Sequence, residues 1–332
     1  MKEQFLQLQQ ILGSHQTFVI TTHVNPDGDA IGSEVALARF LSDRGKKVTI
    51  INQSVTPDHL QFLEEIHPIR VYQSKYDGTI LDCECFCVVD TNSPKRFSAL
   101  ADAVGRSRAV KVCIDHHLEQ EPFADLYVID TEVPATCELL YLIMHEIDPH
   151  GISKPIADAL YTGIMTDTAS FRFPKTDSET HQIVSELLRT GVDPYEMYQH
   201  VFENGPLNKL QLLGKSLESI QLYHNGRVAV MIIPRSVFQE TNTAEADVDN
   251  FTSYVLSIKG VRIGLVFVEL PDSIKISFRS KGNIAVNELA KQFGGGGHKN
   301  ASGARIKHST ILEALSKVVK AAEPYINLQE KE

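Results

Sequence analysis

The sequence predicts an α/β protein with two domains: an N-terminal domain with a mainly parallel sheet flanked by helices, and a smaller C-terminal α+β domain. The chain has 332 residues, enough for about two domains of ordinary size. Strand and helix patterns alternate through the first half, and after Gly191 a helical stretch is followed mainly by strands. We therefore place the first domain at residues 1–190, a helical connector at 191–222 and the second domain at 223–332.

The first domain is predicted from short apolar runs that alternate with helical spacing. The predicted strands are Thr17–Thr21, Val48–Ile51, Phe86–Val89 and Val110–Ile114. The predicted helices are Ala30–Asp43, Thr136–Glu146, Pro155–Met165 and Ser178–Arg189. Such alternation is typical of βαβ units, which build a parallel sheet covered on both faces. Ligands collect at the carboxyl ends of the strands in such sheets, so we expect functional side chains there.

The second half begins with a mainly helical stretch, Pro194–Ser219, that is broken at Gly205-Pro206. The predicted strands that follow are Val228–Ile233, Val261–Leu270 and Ile274–Ser280. Helical spacing returns at Ala285–Phe293 and Ile311–Ala322. This order of elements predicts an α+β domain rather than a second set of βαβ units.

Composition excludes several classes of protein. Apolar residues make up 42% and charged residues 22% of the chain, which are values of a globular protein. No apolar run approaches the roughly 18 residues of a membrane helix, and the N-terminal segment does not resemble a signal peptide. We therefore expect a cytoplasmic protein without a membrane partner. The five cysteines fit neither a disulfide framework nor paired zinc knuckles, so we expect them to be buried and reduced.

The formal net charge of −10 is unevenly distributed along the chain. Residues 1–254 carry 20 basic and 35 acidic side chains, whereas residues 255–332 carry 12 basic and 7 acidic ones. An acidic first part joined to a basic tail indicates a protein that handles phosphate groups or nucleic acid. The acidic surface that remains should disfavour long nucleic acid as a partner.

Acidic and histidine side chains follow three of the predicted strands. The first strand leads into a loop of turn-forming residues and then a helix, and this loop carries His23, Asp27 and Asp29. Asp90 ends the third strand, and Asp115-His116-His117 ends the fourth. A single Asp after a strand is more often a turn residue or helix cap, but these three segments, with a fourth that carries Asp167 after a helix, together predict a metal site.

Carboxylates together with imidazoles suit Mn²⁺, Mg²⁺, Fe²⁺ or Zn²⁺. A fourth acid, Asp167, lies at the end of a helical segment. If Asp27, Asp29, Asp90 and Asp167 converge, their four negative charges repel one another, and two divalent cations would balance them. Two cations about 4 Å apart, bridged by a carboxylate, are the usual clamp for in-line displacement at phosphorus.

These residues resemble the motifs of the DHH phosphoesterase superfamily. The first motif is matched by His23-x-Asn25-Pro26-Asp27-x-Asp29, the second by Asp90, the signature by Asp115-His116-His117 and the fourth by Asp167. The run from Gly294 to Gly303 is similar to the glycine-rich motif of the associated DHHA1 domain. The resemblance covers nearly the whole chain and is closest to the NrnA-type branch.

The resemblance implies a site for two Mn²⁺ ions, with Mg²⁺ or another divalent ion as the alternative. It assigns His23, Asp27 and Asp90 to one ion. It assigns Asp29, Asp90, His116 and Asp167 to the other, so that Asp90 is the bridge. Asp115 would orient an imidazole, and His117 would face the substrate phosphate or the leaving group. The resemblance also places the active site in the cleft between the two domains.

The basic second domain is expected to bind substrate. Four successive glycines allow backbone N–H groups to surround an anion, although on composition alone a flexible linker is the commoner interpretation of such a run. Arg279 can contact a phosphate through two hydrogen bonds. The candidate substrate-binding residues are Arg279, Gly296, Gly297, His298, Asn300 and Ser302.

The implied activity is hydrolysis of short RNA oligonucleotides (nanoRNA) to nucleoside 5′-monophosphates and of 3′-phosphoadenosine 5′-phosphate (pAp) to AMP. The implied mechanism is attack of a metal-bridged hydroxide on phosphorus. The alternatives are a phosphodiesterase acting on cyclic or linear dinucleotides (pApA or pGpG) and a catalytically idle nucleotide-binding module. Relatives also suggest a homodimer, whereas the preferred chain length, the polarity of attack and the native metal stay open.

Overall fold

The computed structural model describes residues 2–118, 120–248 and 250–327, which form two compact units. The first unit extends to Asn204 and the second begins at Gly205, so the division lies inside the segment predicted as a connector. Within the described ranges, no helix is both long enough and apolar enough to cross a membrane.

The first unit contains a six-stranded parallel sheet. Its strands are β1 (Thr17–Thr21), β2 (Lys47–Asn52), β3 (Ile69–Val71), β4 (Cys85–Val89), β5 (Val110–Asp115) and β6 (Leu126–Ile129). The strand order is β3-β2-β1-β4-β5-β6, with β1 paired to both β2 and β4. This confirms the predicted parallel sheet. The edge strands β3 and β6 were not predicted, because they have only three and four residues.

Helices cover both faces of this sheet. They are α1 (Lys2–Ser14), α2 (Gly28–Ser42), α3 (Asp77–Asp82), α4 (Ser98–Arg106), α5 (Thr136–Ile147), α6 (Lys154–Asp167), α7 (Ser178–Arg189) and α8 (Pro194–Phe202). Alternate strand residues enter two cores: Ile20 and Cys87 pack with α2, α5 and α6, whereas Val19 and Phe86 pack with α4. All five cysteines are free and buried, as the sequence predicted.

Glycines bring α2 and α6 into close contact. A Cβ atom on Gly32 would lie 2.5 Å from the carbonyl oxygen of Ala159, and one on Gly28 would lie 2.3 Å from Thr166 Oγ1. Real Cβ atoms do not approach other atoms so closely, so only glycine fits at these two positions. The close approach of the two helices is therefore limited by a main-chain oxygen at Gly32 and by the Thr166 side chain at Gly28.

The second unit contains a six-stranded mixed sheet with the order β11-β12-β10-β9-β8-β7. Its strands are β7 (Gln221–Tyr223), β8 (Val228–Ile233), β9 (Ile263–Glu269), β10 (Ser273–Ser280), β11 (Gly296–His298) and β12 (Ala301–Lys307). Its helices are α9 (Leu207–Glu218), α10 (Arg235–Thr241), α11 (Phe251–Ser257), α12 (Val286–Lys291) and α13 (Ile311–Asn327). Among the described strands of this unit, only β8 and β9 are parallel neighbours, which agrees with the predicted α+β class.

The glycine run of the second unit is ordered by its neighbours rather than being a plain linker. It leads into β11, which pairs with β12, and neither strand was predicted. Gly297 has φ +136°, and a Cβ atom there would lie 2.6 Å from the carbonyl oxygen of Ala301. The run therefore makes a tight turn in which two backbones approach closely.

Candidate metal centre

The loop after β1 places its acids at the start of α2. Asp27 is the N-cap of this helix, and its Oδ1 accepts a hydrogen bond from the backbone N–H of Ala30 at 3.1 Å. Asp29 follows in the first helical turn and is 1% exposed. His23 Nδ1 lies 3.0 Å from the carbonyl oxygen of Val24, which leaves Nε2 for contacts with Asp90. The turn-forming residues thus direct three side chains towards one point.

Asp90 lies at the middle of the cluster. Its backbone has φ +57°, an uncommon conformation for a non-glycine residue, and its N–H donates to Ile114 O at 3.0 Å. Its Oδ2 lies 3.3 Å from His23 Nε2. Its Oδ1 lies 3.7 Å from His116 Nε2 and 3.8 Å from His117 Nδ1. The two oxygens of Asp90 therefore face two different groups of imidazoles.

His116 joins Asp90 to the remaining acids. Its Nε2 lies 3.9 Å from Asp29 Oδ2 and 3.6 Å from Asp167 Oδ2. Its Nδ1 lies 3.3 Å from the carbonyl oxygen of Val133, which favours a proton on Nδ1 and a free lone pair on Nε2.

A left-handed turn follows Asp167 at the end of α6. Residues 169–171 have φ values of +51°, +59° and +63°, in succession and without a glycine. Thr168 supports this turn, because its Oγ1 donates to the carbonyl oxygen of Ile164 and accepts from the N–H of Phe171. Phe171 packs beside Tyr161 and His181. The turn reverses the chain directly after the acid.

The side chains form three overlapping sets that could hold a metal ion. In each set, one ligand atom from every residue lies within 4.8 Å of the others. The sets are His23 with Asp27 and Asp90, Asp29 with His116 and Asp167, and Asp90 with His116 and His117. Ligand atoms around one ion with bonds of about 2.1 Å lie about 3 Å apart, so small movements would complete the coordination. The six residues predicted as metal ligands are thus brought together in the first unit.

Burial and mutual repulsion make this cluster hard to ionise without a cation. Burial, with the charge of Asp27 added, raises the pKa of Asp29 to about 6. Burial, with the charge of Asp29 added, raises the pKa of Asp167 to about 7. The same two causes raise the pKa of Asp90 well above its usual range. Buried oxygen and imidazole ligands that need positive charge are the donor set of a divalent ion, so the residues fit one.

Asp115 and His117 form a separate pair at the edge of the cluster. His117 Nδ1 lies 2.8 Å from Asp115 Oδ1, and Asp115 is fully buried. Burial alone would lower the pKa of His117, but the hydrogen bond to Asp115 and the charge of that acid outweigh it, and the pKa is raised. The predicted orienting acid thus contacts His117 rather than His116.

The six candidate substrate-binding residues lie at one end of the second sheet. Arg279 on β10 is opposite Ala301 on β12, and Gly297 on β11 is opposite Ser302. Asn300 Nδ2 donates to Ser280 Oγ at 2.8 Å and to Gly282 O at 2.9 Å, and Ser302 Oγ donates to His298 O at 2.8 Å. Asn300 and Ser302 therefore stabilise the glycine-rich turn, and a direct contact of either with substrate stays a prediction.

Two residues near the metal centre were not among the candidates predicted from the sequence. The positive charge of Arg96 adds to burial in lowering the pKa of His23, and it opposes the rise in the pKa of His117. The sequence did offer one sign of this role, because Arg96 lies only six residues after Asp90, in the segment that follows the same strand. Thr136 donates from Oγ1 to Asp90 Oδ1 at 2.8 Å. A threonine at a helix start gives no sign of such a distant contact.

Comparison with known proteins matches both halves of the chain. Residues 17–164 match the DHH family, N-terminal domain, and residues 225–327 match the DHHA1 domain. The chain is 30% identical to the bifunctional oligoribonuclease and PAP phosphatase NrnA of Bacillus subtilis, over 90% of this chain and 92% of that protein. It is also 30% identical to the NrnA of Thermus thermophilus, over 91% of this chain and 88% of that protein.

A solved structure has the same fold over almost the whole length. The exopolyphosphatase-related protein of Bacteroides fragilis superimposes with a TM-score of 0.93 and is 32% identical, covering 98% of this chain and 97% of its own. The similarity thus extends through both units.

Proposed function

Since the chain belongs to the DHH family of phosphoesterases and carries a DHHA1 domain, we propose that it is a Mn²⁺-dependent enzyme acting on very short RNA and on pAp. It would release nucleoside 5′-monophosphates from oligoribonucleotides and AMP from pAp. The similarity to two NrnA proteins over about nine-tenths of their length supports this choice of substrates.

The observation that carries the proposal is the position of Asp90 between two imidazole groups. Its Oδ2 faces His23 and its Oδ1 faces His116, at 3.3 and 3.7 Å. We propose that His23, Asp27 and Asp90 hold one ion, and that Asp90 also joins the other ligand set, Asp29, His116 and Asp167. When bound, two divalent ions supply a water of lowered pKa and positive charge beside the phosphate.

His117 is the residue proposed to act on the substrate itself. Asp115 holds its Nδ1, so the ring presents Nε2 away from that acid. In the metal-free protein, burial is outweighed by the hydrogen bond and charge of Asp115, which raise the pKa of His117 and favour the protonated, donating ring. We propose that Nε2 donates to a phosphate oxygen or to the leaving oxygen.

The glycine-rich turn is proposed to bind a phosphate of the substrate. Gly296, Gly297 and His298 are exposed on β11, and Arg279 lies at the end of the neighbouring β10–β12 pair. Backbone N–H groups and a guanidinium together suit a phosphate dianion.

A substrate panel tests the proposed function. The purified protein is incubated with Mn²⁺ and di- to pentaribonucleotides, longer RNA, pAp, linear pApA and cyclic dinucleotides. We expect fast release of mononucleotide from the shortest chains and of AMP from pAp. No turnover of either substrate would contradict the proposal, and faster turnover of cyclic dinucleotides would favour the phosphodiesterase alternative.

The matched variants are Asp90→Asn and Asp102→Asn. Asparagine tolerates the left-handed backbone of residue 90, so Asp90→Asn removes the charge without straining the chain. Asp102 is an exposed acid on α4 paired with Arg106, and its replacement should leave activity unchanged. Wild-type turnover by Asp90→Asn would contradict the metal-dependent mechanism.

A further inference from the structure

Thr136, the first residue of α5, contacts two acids of the metal centre at once. Its hydroxyl donates to Asp90 Oδ1 at 2.8 Å, and its backbone N–H donates to Asp29 Oδ2 at 2.6 Å. The next backbone N–H, of Cys137, donates to Asp29 Oδ1 at 2.8 Å. Thr136 is fully buried, so water does not compete for these hydrogen bonds.

The contact with Asp29 replaces the ordinary cap of the helix. The first N–H groups of a helix have no partner within it, and a side chain at the N-cap usually accepts from them. The N-cap residue here is Ala135, which has no side chain that could do so. The carboxylate of Asp29, on the distant helix α2, takes this place at the positive end of α5.

The hydroxyl of Thr136 does not serve its own helix either. A threonine at a helix start commonly bonds a nearby backbone N–H, whereas this one reaches Asp90, which is 46 residues away in the chain. One residue therefore ties an acid on α2 to an acid in the loop after β4. Each carboxylate oxygen can accept two hydrogen bonds, so Asp29 Oδ2 and Asp90 Oδ1 keep capacity for a further contact.

We propose that Thr136 is a positioning residue that holds Asp29 and Asp90 in the orientation needed to bind divalent ions. This inference rests on the proposed metal centre, and it adds a residue that touches neither the ions nor the substrate. Removing the hydroxyl frees Asp90 to rotate, and the ligand set has to be reassembled when a metal ion binds. Hydrogen-bond partners of metal ligands typically change metal affinity by about 10- to 100-fold.

The test compares Mn²⁺ binding by metal-free wild type, Thr136→Val, Thr136→Ser and Thr136→Cys. Valine has the shape of threonine without the hydroxyl, serine keeps the hydroxyl, and cysteine offers only a weak S–H donor. Calorimetric titration with Mn²⁺ alone should give an affinity about 10- to 100-fold lower for valine, near that of wild type for serine and intermediate for cysteine. Activity is not needed for this measurement.

Thr162→Val is the matched control. Thr162 is fully buried, and its hydroxyl donates to the carbonyl oxygen of Asp158 in its own helix α6 at 2.8 Å. Its replacement should lower thermal stability without changing Mn²⁺ affinity. If Thr136→Val does not fold, Thr136→Cys gives the same comparison with a donor that is weakened instead of removed.

Three results overturn the inference. The first is wild-type Mn²⁺ affinity in a folded Thr136→Val or Thr136→Cys protein. The second is an equal loss in Thr136→Ser, which would mean that packing of the methyl group matters and the hydroxyl does not. The third is failure of the wild type to bind Mn²⁺, which would also remove the proposed function, whereas the first two leave that function intact.

Discussion

His117 Nδ1 lies 2.8 Å from Asp115 Oδ1, so the first and third residues of one short motif pair a buried acid with a half-buried imidazole. The residue between them, His116, turns its Nε2 towards Asp29, Asp90 and Asp167 instead. The two adjacent histidines at the end of β5 share Asp90 as a neighbour, but only His117 is hydrogen-bonded to Asp115. In the proposed site, His116 would bind a metal ion, and His117, which is held by Asp115, would act on the substrate.

Asp115→Asn should lower the pKa of His117 below its usual value. The substitution removes the acid that raises this pKa, and burial, which lowers it, remains. In the wild type the pair stabilises the metal-free fold fully below about pH 6.5, the ordinary histidine pKa, and loses this contribution as the pH rises through the raised value. Titration of the ring by NMR in metal-free protein measures both pKa values. An unchanged pKa in Asp115→Asn would contradict the pairing.

The stabilisation of the protein by Mn²⁺ should increase with pH. The folded-state pKa values of Asp29 and Asp167 are raised to about 6 and about 7, above the unfolded value of about 3.9. Ionising these groups therefore costs stability in the metal-free protein as the pH rises from about 4 to 7. Bound Mn²⁺ reverses this cost, because metal binding releases the protons. Thermal unfolding with Mn²⁺ and with chelator should differ more at pH 8 than at pH 5.5, and an equal difference would contradict the cluster.

Gly32→Ala should destabilise the first unit by about 1–3 kcal/mol or more, the usual cost of overpacking. The added methyl group would lie 2.5 Å from a carbonyl oxygen of α6, and backbone cannot move aside cheaply. Denaturant unfolding measures the loss. Gly214→Ala is the control, since nothing lies within 4 Å of that position on α9, and it should stabilise by about 0.5–1 kcal/mol. Equal stability of the two variants would contradict the close packing of α2 and α6.

Arg279→Lys should raise the KM for pAp about tenfold or more and leave Mn²⁺ affinity unchanged. Lysine keeps the charge but loses the two parallel N–H donors that match a phosphate. Lys307→Ala is the control, because Lys307 lies on β12 opposite Ser273, at the other end of the β10–β12 pair. Steady-state kinetics with pAp and calorimetry with Mn²⁺ separate the two effects. A KM unchanged in Arg279→Lys would exclude Arg279 from substrate binding.

The central strands and the metal-ligand candidates could be predicted from the sequence for one physical reason. A buried strand is a continuous run of apolar residues. The polar residue that follows such a run lies at the carboxyl end of the strand, where ligands bind in a parallel sheet. Asp90 follows Val88-Val89, and Asp115 follows Cys113-Ile114, so both positions are marked locally. The DHH and DHHA1 matches confirm the resemblance drawn from these motifs.

The features that were missed depend on contacts distant in the chain. The hydrogen bond from Thr136 to Asp90 joins two segments whose proximity follows only from the complete fold. Strand β12 was missed because it mixes small and charged residues, as in Ala301-Ser302-Gly303-Ala304-Arg305, and has no apolar run. Its alternating burial is produced by its neighbours β10 and β11.

The left-handed turn at residues 169–171 affects the order in which the segments of the metal centre lose their structure when metal is removed. Each non-glycine residue in this conformation costs about 1–2 kcal/mol, so the segment gains backbone freedom as soon as it is released. Asp167 lies at the boundary between this turn and the stable helix α6. Disassembly should therefore start from the Asp167 side, while Asp29 stays held by α5. Faster amide hydrogen exchange at residues 168–172 than at the start of α5, on addition of chelator, would record that order.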